Sequence, residues 1–177
     1  EIYTLSLHDA LPISLAVLAA SEEGGQLRLF SLGSEEERAR FESPGEYFID
    51  LAWMDGGLCL LSEDRAVFLD EGGAQTGEYR FGSARLRDCA FGGDFALLVL
   101  EEAGQVSLVS LDASGGLIAQ LSPGRDFVSA EAEKDKIAVL YSDGAAVYNK
   151  NLRERGSGAQ AAGAQALLLR GDGETLA

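Results

Sequence analysis

Nucleophilic chemistry has little to work with in this chain. Its 177 residues include a single histidine, His8. Neither a Ser-His-Asp nor a Cys-His arrangement can be assembled from the rest. The two cysteines, Cys59 and Cys89, each lie in an apolar run and are too few and too far apart for a zinc site. They read as small buried hydrophobes. A disulfide between them stays open at this level, and with it the redox compartment. No run of 18 apolar residues occurs, so these residues contain no transmembrane helix. Cations are scarce: 14 Lys and Arg stand against 29 Asp and Glu, a formal net charge of −15. So acidic a surface repels phosphate backbones and anionic lipid, which argues against nucleic acid and membrane surfaces as partners.

What is present is apolar and periodic. Residues of the AVILMFWYC set make up 46% of the chain, enough for a sizeable core. Apolar runs ending in a small polar turn recur, with Ser21, Ser62, Glu101 and Ser142 in register at spacings of 41, 39 and 41. Each unit reads as four short strands joined by turns. In the second unit these are 47–53, 58–61, 66–70 and 77–81, separated by MDGG, SEDR and EGGA. Gly and Asp there supply the backbone freedom that tight hairpin turns require. No helix is expected. The Ala-rich stretch 158–166 carries Gly163 and lacks a charged opposite face.

The strands differ in character. The second strand of a unit is apolar on both faces, as in FALLVL (95–100) and IAVLY (137–141). Such a strand needs both faces of its sheet covered. The third partly alternates, as in QLRLF (26–30), and the fourth is the most polar, as in 36–42 and 152–155. Burial therefore falls outward from the second strand. That gradient predicts an all-β, incomplete β-propeller of about four blades, each of four antiparallel strands, in an open arc. The expected blades are roughly 14–42, 46–81, 84–122 and 126–156, with a partial fifth over 162–177. A sandwich or barrel has no reason to repeat every forty residues.

The opening EIYTLSLHDALPI fits no such strand pattern and has no signal-peptide architecture. Back-translated without a break, residues 1–13 resemble a common short-read sequencing adapter in one frame. The natural protein is then expected to begin near Ser14, inside a domain, without His8. The chain lacks the Gly-His and Trp-Asp dipeptides of WD40 repeats and the Kelch double-glycine pattern. It is WD40-like in architecture only. The stretch IAVLYSDGAAVYNKNLR, followed by ALLLRGDGETLA, resembles the C-terminal blades of an uncharacterised bacterial propeller family of unknown function. That resemblance implies an ectodomain outside the cytoplasm, held by an amino-terminal membrane anchor missing here, and no known activity.

Candidate chemistry is thin. Asp50 and Asp88, 38 apart, precede the end of the first strand of their units, with Ser129 or Glu131 at the corresponding place in the next. If this strand lines a central channel, Asp50, Asp88 and Glu131 are its metal candidates, although a cation needs several converging oxygens and each blade offers one. Arg170-Gly171-Asp172 spells an adhesion tripeptide but occupies a hairpin turn. The glycine-rich 156–163 lacks the Lys-Ser/Thr of a phosphate loop and reads as a connecting loop. Glu35, Glu36 and Glu37, beside Arg38 and Arg40, guard an outer edge against pairing. Trp53 and Phe91 read as core between blades. The expectation is a non-catalytic module for protein binding or scaffolding, with no cofactor and with loops or the top face as its contact surface. The alternative is a ligand-binding or enzymatic propeller whose acidic channel site is completed by further blades.

Overall fold

The computed structural model describes residues 4–7, 14–31, 36–169 and 175–176; His8 and Arg170-Gly171-Asp172 lie outside these. Four antiparallel four-stranded sheets follow one another along the described chain. The first is β1 (Thr4–Leu7), β2 (Ser14–Ser21), β3 (Gly24–Ser31) and β4 (Glu37–Pro44). The second is β5 (Phe48–Met54), β6 (Gly57–Ser62), β7 (Arg65–Asp70) and β8 (Gln75–Arg80). The third is β9 (Arg85–Phe91), β10 (Phe95–Glu102), β11 (Gln105–Asp112) and β12 (Leu117–Leu121). The fourth is β13 (Phe127–Glu133), β14 (Lys136–Tyr141), β15 (Gly144–Asn149) and β16 (Glu154–Gly158). A hairpin of β17 (Leu168–Leu169) and β18 (Thr175–Leu176) completes the described strands. Every sheet is a meander with neighbours in chain order.

The chain divides into two compact units. The first holds the first two sheets and the turn Ala113–Gly115; the second holds the rest. Within each, burial follows the gradient expected of a blade. All six residues of β6 are buried, as are residues 95–100 of β10, whereas no residue of β8 or β12 is. The first unit's core gathers Leu27, Leu29, Leu51, Leu58, Leu60 and Val67 from four strands of two sheets. The second unit's gathers Phe95, Leu97, Leu108, Phe127, Ile137 and Tyr141 in the same manner. Face-to-face packing of the two sheets within each unit thus buries one face of each second strand against its neighbour.

Three departures from the sequence pattern have local causes. The first sheet has a fourth strand, β1, in the opening stretch; its backbone pairs with β2 from Thr4 opposite Leu18 to Leu7 opposite Leu15. The third strands alternate in β3 and β15, but residues 66–69 of β7 are all buried. There the Ala113–Gly115 turn covers Phe68: a Cβ on Gly115, whose φ is +80°, would lie 2.8 Å from the ring. The glycine-rich segment is only partly a loop. Residues up to Gly158 pair with β15 as the outermost strand, and one 3₁₀ turn, Ala159–Ala161, follows. Strand pairing needs backbone groups and not apolar side chains, and Gly158 is extended at φ −158°.

The gradient sets an expected contrast. Leu98 in β10 is fully buried and Leu117 in β12 is 56% exposed, in the same sheet. Leu98→Ala is expected to cost about 2–5 kcal/mol, and Leu117→Ala within about 0.5 kcal/mol of zero. Urea unfolding midpoints of the two variants check this.

Candidate interaction face

In a meander of antiparallel strands, one end of the sheet carries the start of the first strand, the turn between the second and third, and the end of the fourth. In the second sheet these are the segment entering β5, the turn 62–65 and Arg80, and together they line a cleft of about 500 Å³ within the first unit. In the second unit the same elements, the β10–β11 turn and the connection entering β13, line a cleft of about 470 Å³.

The first strands share a device at this end. β5, β9 and β13 each carry a register shift against the second strand, skipping Ile49, Arg87 and Val128. A bulge adds one residue to a strand and re-aims its side chain. All three skipped residues are exposed. Asp50 and Asp88 directly follow a skipped residue. The Asp50 carboxylate accepts the Leu51 N–H at 2.8 Å, and that of Asp88 accepts the Cys89 N–H at 2.9 Å. Asp88 also takes the Ala130 N–H of β13 at 3.2 Å, tying two first strands together. These carboxylates thus serve the backbone where the ladder shifts. Ser129 holds the same place in the fourth sheet, and its buried hydroxyl has no hydrogen-bond partner.

Asp88 and Glu131 lie in the second unit and Asp50 in the first. Burial, then the nearby charge of Asp88, raises the Glu131 carboxyl above its ordinary range. No group of three His, Cys, Asp or Glu suited to a metal occurs among the described residues. Cys59 is fully buried and Cys89 half-buried, both as thiols. Trp53 packs on the first unit's core, and Phe91 is half-buried. At the outer edge Glu37 pairs with Arg28 and Arg40.

The polar centre of the first cleft is Arg65, whose side chain is 16% exposed. Its Nε donates to Glu46 at 2.9 Å and its Nη2 to Ser43 Oγ at 3.1 Å, while Nη1 reaches Glu78. Ser43 Oγ donates in turn to Glu46 at 2.6 Å. The hydrogen bond from Arg65 holds the Glu46 carboxyl at about 2 against an ordinary 4.5, overcoming the opposite effect of burial. Beside this network stand Tyr47 and Ile49, 50% and 54% exposed. The Tyr47 hydroxyl donates to the Ser21 carbonyl at 3.2 Å, steadying the ring. The Arg65 network is not marked in the sequence. The signal for the exposed pair is the extra residue between Phe48 and Asp50, which breaks alternation.

No family model matches the chain, and no curated protein matches it in sequence. Solved structures do. The WD40 domain of Neurospora crassa Pan2 aligns with a TM-score of 0.58 at 12% identity, over 88% of this chain and 49% of that one. BBS1N, in complex with ARL6DN, aligns with a TM-score of 0.65 at 12% identity, over 93% and 56%. A protein of unknown function from Bacteroides caccae gives 0.53 at 11% identity, over 92% and 63%. The chain thus spans 49–63% of the length of these structures. Likeness at such identities establishes the fold, an incomplete β-propeller of WD40-like architecture.

The network also sets a pH dependence. A carboxyl depressed in the folded state stabilises fully above its unfolded pKa and less as pH falls toward the folded value. Wild-type stability is expected to fall between about pH 5 and pH 2. Glu46→Gln removes one group that takes up a proton in that window, so its stability falls less steeply there. Thermal melts across the pH series, wild type against variant, measure the difference.

Proposed function

We propose that this chain is a non-catalytic propeller module that binds a protein partner through the end of its sheets carrying the bulged first strands. The observation behind this is the pairing of Tyr47 and Ile49, both half-exposed, with a polar cleft built on Arg65. An aromatic and an aliphatic anchor beside a polar rim is the composition of a protein interface. The loops of this end are free to vary without disturbing the ladder. BBS1N, a structure of the same fold, is in complex with ARL6DN. The resemblance of the final repeats to an uncharacterised bacterial family supports display at a bacterial cell surface behind a membrane anchor. The acidic-channel alternative would rest on Asp50, Asp88 and Glu131. The hydrogen bonds that Asp50 and Asp88 accept from backbone N–H groups favour the binding module instead.

A photo-crosslinking amino acid placed at Ile49, in cells of the source organism, is expected to trap a discrete protein adduct. The same residue at Leu117, equally exposed on an outer strand, is expected to trap none. Tyr47→Ala with Ile49→Ala should weaken capture by about tenfold or more while leaving the melting temperature near that of wild type. Equal adducts at both sites, or none at Ile49, would defeat the proposal.

A further inference from the structure

The second unit's cleft differs from the first in sign. Two guanidinium groups reach its wall, Arg87 from the bulge of β9 and Arg125 from the connection entering β13. Each is backed by an aromatic ring. Arg125 lies 4.0 Å from the centroid of Tyr141, and Arg87 lies 6.0 Å from that of Phe127. Both rings are buried, Tyr141 completely and Phe127 to 7% exposure. Stacking on a buried ring fixes the plane of a guanidinium in advance, so less side-chain entropy is lost when it binds.

Among the described residues, neither guanidinium is fully engaged. Arg87 donates from Nη1 to Glu101, leaving Nε and Nη2. Arg125 donates from Nε and Nη2 to Asp143, at 2.9 and 2.6 Å, leaving Nη1. Among the described residues of the cleft wall Asp126 is the one carboxylate, and it accepts the Ser142 hydroxyl at 3.4 Å. Gln105 adds a neutral amide to the wall. A cleft of about 470 Å³ is of the size that holds a few residues of an extended segment.

Resting on the protein-binding reading, we propose that this cleft receives a carboxylate-bearing segment of the partner, an acidic peptide gripped by Arg87 and Arg125. Glu101 and Asp143 already pair with the two arginines, so an incoming carboxylate takes their remaining N–H donors, while much of the net charge of −15 acts from farther away. Exposed charges more than about 8–10 Å away are largely screened at physiological salt, whereas a charge-assisted hydrogen bond to a guanidinium acts at about 2.8 Å. The distant charge slows the approach of an acidic partner, and the two arginines select it once seated.

The probe is a dye-labelled octapeptide of alternating glutamate and alanine, with a glutamine-alanine counterpart, titrated against the full chain by fluorescence anisotropy. At low salt the glutamate peptide is expected to bind about tenfold or more tighter than the glutamine peptide. Arg87→Ala with Arg125→Ala should remove that preference. Arg87→Gln alone, at an exposed site, should reduce it with the circular dichroism spectrum unchanged. Arg125→Lys should recover little, because an ammonium lacks the planar stacked fork. Equal binding of both peptides, binding of neither, or an unchanged preference in Arg87→Gln overturns the proposal. A glutamate peptide that fails to bind while Ile49 still crosslinks a protein refutes the carboxylate chemistry alone. Binding of the peptide with no adduct at Ile49 upholds the chemistry and refutes the first contact face.

Discussion

A strand apolar on both faces cannot rest at a surface, and the rest of this fold follows from that. β6, β10 and β14 carry apolar side chains above and below their sheets, so a single four-stranded sheet in water would leave both of those faces wet. At about 25 cal/mol per Å² of apolar area, covering it outweighs the ordering of a few connecting residues. Small sheets therefore stack within each unit. Leu27 and Leu29 of one blade meet Leu58 and Leu60 of the next, and Phe95 and Leu97 meet Ile137 and Tyr141. The outer strands escape the demand because only their inner neighbours are sandwiched.

The same constraint accounts for the bulges. A first strand packed inside a blade must pass from a buried stretch, such as Leu51 and Met54, to an end open to solvent. One extra residue lets it present Ile49, Arg87 or Val128 outward while the residues beyond stay in register with the second strand. The aspartates supply an acceptor where the ladder shifts, so their spacing of 38 records a backbone requirement. The exposed side chains at this end of the sheets are thus a by-product of how the first strand terminates.

The fold was legible because its cause is compositional. Two-faced apolar runs, polar fourth strands and glycine turns are written in single residues and recur with a fixed period. The site was much less so. Arg65 of β7 and Glu46 of the β4–β5 connection stand 19 residues apart, and Arg125 finds Tyr141 only through the pairing of β13 with β14. Such pairs depend on register and on side-chain reach, neither of which periodicity encodes. The aspartates were visible as a repeat, but their chemistry was not. A carboxylate recurring along one strand position looks the same in sequence whether it faces a cation or its own neighbour's N–H. The burial of β7 was invisible for a related reason, since the turn covering Phe68 comes from residues 113–115.

An acidic chain with few cations must use each of them well, and arginine makes that possible. Its five donors form a planar fork that serves more than one acceptor. Arg65 joins Glu46, Glu78 and Ser43, and Arg40 joins Glu37 and Glu42. Glu37 in turn is shared by Arg28 and Arg40. Exposed pairs contribute little singly, about 0–1 kcal/mol, but these lie on the third and fourth strands and a blade connection, at positions that apolar burial does not fill. A lysine at position 65 would meet Glu46 as a point charge and leave Glu78 or Ser43 unserved. The bridged carboxylates also line strand edges with fixed charge, which blunts pairing with another chain. Arginines held in this way are already oriented before any partner arrives. In a module of this composition, the groups that stabilise the edges and the groups available for recognition are therefore drawn from one small set of cations.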